Sequence, residues 1–106
     1  MYEVVETIRN NGRDELTVVM EPWGMPLSLM PGHSFSLFGR ASSEGHFEII
    51  KQADAVMVYA WPGATVEVFD GDVLVESFAI RVPAVPRGQS VRGFLDFMLG
   101  NPPRGD

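Results

Sequence analysis

Histidine is the side chain whose ordinary pKa lies nearest neutrality, so His33 and His46 are where acid–base or metal chemistry would be sought first. Neither belongs to an HxH or HExxH spacing that would bring two imidazoles onto one metal ion, and zinc therefore has no signature here. Met20, Met25 and Met30 with His33 supply the soft donors that suit cuprous copper. Against that, Met20 and Met25 keep step with core aliphatic positions, and methionine commonly fills irregular gaps in a core. The serines form no GxSxG or SxxK pattern and the glycines no GxGxxG or GxxxxGK pattern. Glu21, Glu44, Glu48, Asp54, Asp70, Asp72 and Glu76 are spread along strands and turns instead of forming a calcium loop. Cysteine is absent, which rules out disulfides, thiolate nucleophiles, cysteine-ligated zinc and iron–sulfur clusters. The expectation is a chain with no catalytic residues, metal or cofactor. A small enzyme pairing His33 or His46 with a carboxylate ranks third among the readings.

Binding has more to work with than catalysis. Trp23, between Pro22 and Gly24, and Trp61, before Pro62 and Gly63, lie at strand ends where a loop presents an indole; with Tyr59 they form a set suited to stacking on a sugar or small ligand. The competing reading is that an indole beside a tight turn plugs the open end of a small sandwich. Phe69, Leu74 and Phe78 fall on a strand parity expected to be wet, and Phe94 and Phe97 widen the apolar arc of a C-terminal helix. Apolar side chains grouped on a surface need a second surface to cover them. The leading expectation is thus a non-catalytic binding or assembly module that forms a homodimer or docks on a protein partner. A carbohydrate or small-ligand binder is the alternative.

These residues are positioned by strands. The stretch 55–80 reads as three consecutive strands with two sharp turns. A two-residue turn at Asp70 and Gly71 sets Val68 opposite Val73 and Val66 opposite Val75, so that four valines share one face. Alternation over residues 2–9 and 15–21 predicts two strands; if the two pair, parity requires an odd loop such as 11–13, with Ile8 against Leu16 and Val4 against Met20. Pro22, Gly24 and Pro26 predict a sheet-to-sheet corner. Met25, Leu27 and Leu29, then Phe35 and Leu37, mark two more strands around Pro31 and Gly32, where the chain either closes a hairpin or switches sheets. Phe47 and Ile49 lie in a strand that a loop at 52–54 sets against Tyr59 and Met57. Residues 55–61, apolar on both parities, predict a central strand covered on both sides. Residues 81–88 are proline-spaced and extended. Ser90 predicts a helix N-cap, with Val91, Phe94, Leu95 and Met98 in helical phase before Gly100 stops it. Packing on the outer face of the 64–80 hairpin is expected for this helix.

The chain has 106 residues, enough for one domain with its own core, and is 45% hydrophobic and 21% charged. A single all-β domain over residues 1–100 is expected: a two-sheet antiparallel sandwich of seven or eight strands with a short C-terminal helix over residues 90–99. Residues 101–106 form a frayed tail, where Arg104, Gly105 and Asp106 spell an integrin-binding tripeptide by chance. The strand count and spacing of residues 2–80 resemble immunoglobulin-like and cupredoxin-like architecture in layout alone, and the missing ligand cysteine removes the copper centre of the latter. The net charge of −6 without any lysine or arginine cluster argues against nucleic acid as a partner. The first ten residues lack a basic and an apolar signal region, and no apolar run approaches the ~20 residues of a membrane span, so a cytoplasmic protein away from membranes is expected.

Overall fold

The computed structural model describes residues 1–79, 81–83 and 90–93 of the chain. Eight strands run in the order β1 (Tyr2–Arg9), β2 (Leu16–Glu21), β3 (Met25–Leu29), β4 (Ser34–Ala41), β5 (Glu48–Lys51), β6 (Ala55–Tyr59), β7 (Thr65–Asp70) and β8 (Val73–Phe78). They form the expected all-β sandwich of two four-stranded sheets, β1-β4-β7-β8 and β3-β2-β6-β5. Every pairing is antiparallel except that of β2 with β6, which is parallel. The core lies between the sheets, with Val18, Met20, Leu29, Phe35, Leu37, Val58, Val66 and Val68 the largest fully buried side chains. Strand alternation explains this: Leu37, Val68 and Val66 sit on successive inward positions of neighbouring strands.

Two Pro-Gly pairs carry the chain from the second sheet to the first. In each, the amide after the glycine donates back across the turn, His33 N to Met30 O at 3.1 Å and Ala64 N to Trp61 O at 3.1 Å. Proline presets φ at the first central position and Gly32 and Gly63 take positive φ at the second, which is the type II turn. Pro31 and Gly32 therefore switch sheets between β3 and β4, while Pro62 and Gly63 do so between β6 and β7.

Several expected pairings differ. β1 does not pair with β2; it pairs with β4, and the two lie in different sheets. The run from Pro22 to Pro26 is not a corner, because β2 and β3 close a hairpin there with Met20 opposite Met25. Glu48, not Phe47, stands opposite Tyr59, since Gln52 N donates to Ala55 O and shortens the β5–β6 loop to Ala53 and Asp54. β6 is central in its sheet as expected, flanked by β2 and β5.

The β7–β8 turn lies one residue later than expected, which moves the partner of Val73 by two, from Val68 to Asp70. Gly71, with φ +60°, occupies the first central position and Asp72 the second, so Asp70 faces Val73 and Phe69 faces Leu74. Glycine first with positive φ there alone is the II′ arrangement, and it uses Gly-Asp instead of Asp-Gly as the loop. A bulge then admits one extra residue in β8, after which Val68 faces Glu76 and Val66 faces Phe78. Val66 and Val68 are core, but Val73 and Val75 are exposed: Val73 stands opposite Asp70 beside the turn, past the end of the core, and Val75 is the extra residue of the bulge. The sandwich survives this loss, since its core draws on both sheets.

The two sheets are tied together at Asn10, a buried polar residue with 5% exposure. Its amide nitrogen donates to the carbonyls of Asp14 (2.8 Å) and Leu29 (2.9 Å), and its side-chain oxygen accepts from Gly12 N (2.9 Å). Its backbone N–H donates to His33 O at 3.0 Å and its carbonyl accepts from Gly32 N at 2.9 Å. Asn10→Ala should lower unfolding stability by about 2–3 kcal/mol in a urea titration, because the Leu29 and Asp14 carbonyls lose their side-chain donor. Asn10→Asp should cost at least as much, since a carboxylate would face those two carbonyls.

Candidate functional site

The outer face of the first sheet carries the apolar side chains whose parity marked them for a partner. β8 is an edge strand, and Val73, Leu74 and Val75 are 66%, 48% and 39% exposed. Leu74 stands opposite Phe69, and Phe69 meets Phe38 edge to face with ring centroids 5.5 Å apart. A shallow depression of about 360 Å³ opens here, bounded by Ser36, Phe38, Arg40, Glu67 and Phe69. Arg40 crosses it, with Nε 3.2 Å from Glu3 Oε1 and Nη1 3.9 Å from Glu67 Oε1. Arg40 is thus engaged by two glutamates, Asp72 adds a further carboxylate at the rim, and the apolar ridge runs along β8 beside them.

Phe69 and Leu74 share this face, whereas Phe78 does not. The β8 bulge reverses its parity, so it is buried opposite Val66 and stacks on Trp23 with centroids 4.5 Å apart and planes 26° from parallel. Phe94 and Phe97 lie outside the described residues. The start of their helix packs within this chain, but beside the second sheet and not on the outer hairpin face. Val91 is buried, Ser90 Oγ accepts from Gly93 N as the expected N-cap, and Arg92 Nε lies 2.8 Å from Glu48 Oε2 on β5. Val73 and Val75 escaped the sequence reading: glycine's preference for the first position of a II′ turn places the turn at Gly71-Asp72, but nothing local marks the bulge that displaces Val75.

Of the stacking candidates Trp61 is buried in the core, whereas Trp23 and Tyr59 are half-buried. Trp61 is 6% exposed, donates from Nε1 to Ser43 O at 3.2 Å and meets Phe47 edge to face at 5.4 Å. Gly39 and Gly45 leave the room it occupies, since a methyl group on either would overlap the indole. Trp23 covers Phe78 where the β2–β3 turn reaches the other sheet. Tyr59, half-buried, borders with Trp61, His46, Glu48 and Val91 a recess of about 150 Å³ at the helix start.

His33 Nδ1 and Asp70 Oδ2 are 2.8 Å apart on the exposed side of the Pro31-Gly32 turn. A carboxylate on Nδ1 orients the other ring nitrogen, as a general base requires, yet His33 borders neither the depression beside β8 nor the recess at the helix start. No cluster of three or more histidine, aspartate or glutamate side chains suited to a metal ion exists among the described residues. Nor does any helix among them have the length and apolarity to cross a membrane.

Glu21 sits beside Tyr59 at the end of β2, and burial raises its pKa above the usual carboxylate range. Between that range and the raised value the folded chain holds a proton the unfolded chain has released, so stability falls as pH rises through the window. Glu21→Gln should therefore raise the melting temperature near about pH 7 and give no gain below the usual carboxylate range, as thermal melts at the two pH values will show. Gly45→Ala should lower stability by about 1–3 kcal/mol and change the Trp61 fluorescence, by forcing the indole from its slot.

No family model matches the sequence, and comparison with curated proteins and with solved structures returned no significant match.

Proposed function

We propose that the chain is a non-catalytic assembly module that self-associates through β8 and the adjoining outer face of the first sheet. The observation that carries the reading is the run of three consecutive exposed aliphatic residues, Val73, Leu74 and Val75, on an edge strand. An exposed apolar edge is a template for pairing with another strand. In a two-residue hairpin the residues flanking the loop hydrogen-bond to each other, so Asp70 and Val73 use their backbone groups on one another and those of Leu74 face the free edge. Two copies related by a twofold axis would pair β8 antiparallel about Leu74, burying the same ridge from both sides. Further along, Ser77 N is already engaged by Glu76 Oε1 at 3.2 Å, which confines the pairing to the end of β8 nearest the turn.

Sedimentation equilibrium of the full chain at micromolar concentration tests the reading. A dimer is expected, and Leu74→Lys should weaken it by roughly thirtyfold or more while leaving the melting curve of the monomer nearly unchanged. A wild-type chain that remains monomeric across that range would overturn it.

A further inference from the structure

A second surface lies on the opposite flank, where the edges β1 and β5 stand across from each other and the space between the sheets opens to solvent. Ile8, Leu16, Ile49 and Val56 form the floor of a groove of about 300 Å³ there. Ile8 and Val56 are buried, whereas Leu16 and Ile49 are only partly covered by the core. The rim is polar, and its ionisable groups are two cations, Arg9 and Lys51, with no carboxylate among the lining residues. In a chain of net charge −6 that segregation is unusual. Arg40 and Arg92 are both spent on glutamates, but neither Arg9 nor Lys51 has an ion pair among the described residues.

We propose that this groove binds a medium-chain carboxylate of the fatty-acid class, with the acyl chain along Ile8, Leu16, Ile49 and Val56 and the headgroup between Arg9 and Lys51. An apolar floor recognises the chain by excluding water from it. The cations recognise the head, because a guanidinium or ammonium pairs with a carboxylate through charge-assisted hydrogen bonds. A cationic amphiphile of equal length meets the same floor and like charge at the rim. The volume lies at the lower end of ligand pockets, which suits a single chain and not a diacyl lipid. Lys51 follows Ile49 on the inward parity of an edge strand, a placement that also serves to keep edges apart; the test separates the two roles.

Calorimetric titration of the full chain with decanoate, below its micelle concentration, should show saturable binding of one molecule per chain that weakens with added salt. Lys51→Met and Arg9→Gln should each lower the affinity by roughly tenfold, while Lys51→Arg retains it. Both side chains are exposed, so these variants should melt like the wild type. Equal affinity for decyltrimethylammonium, absence of saturable decanoate binding, or undiminished binding by Lys51→Met and Arg9→Gln would each overturn the proposal. So would self-association of Lys51→Met with its decanoate affinity intact, which would leave the lysine an edge guard.

Discussion

A buried amide cannot be left without partners, and at Asn10 that requirement ties the two sheets together. Five hydrogen bonds converge on this one residue, from the end of β3, the Pro31-Gly32 turn and the loop that leaves β1. The chain crosses between sheets on both sides of this point. Each crossing exposes backbone groups that neither sheet can satisfy, and the asparagine supplies two donors and an acceptor where they meet. An apolar residue of similar size would fill the volume and leave those carbonyls dry and unpaired.

From that tie the sandwich closes in two directions. At one end Trp61 fills the slot left by Gly39 and Gly45, so the second Pro-Gly crossing is held against the β4–β5 loop. At the far flank Trp23 caps Phe78. Aromatic bulk that a loop offers for recognition is here used to seal a small core, which is the economical use when each indole buries a large area.

The surfaces left over are those that the sheets' edges expose. On β8 a turn and a bulge shift an aliphatic run off the inner face, while Arg40 ties up charges beside it. Between β1 and β5 no side chain as large as Trp23 closes the gap among the described residues, and the apolar floor meets solvent under two cations. The two surfaces lie on opposite flanks, so association at β8 leaves the groove accessible.

Alternating residues alone determined that this chain is a two-sheet β-sandwich, that β6 is central, and that Pro31-Gly32 and Pro62-Gly63 are turns, because strand parity and the φ demands of proline and glycine are local properties. Ser90 was legible as a cap for the same reason, and so was the outward parity of Phe69 and Leu74. Parity could not reveal which strand lies beside which, since Val4 and Ile8 suit β2 and β4 equally well. Nor could it reveal a bulge, where one inserted residue reverses every later side chain and turns Phe78 inward and Val75 out. Asn10 reads as a turn residue until its distant partners Leu29 and His33 are in place. Only the packed fold decided these matters, because each depends on contacts between residues far apart in the chain, and a single sequence records such contacts only through the side chains that happen to satisfy them.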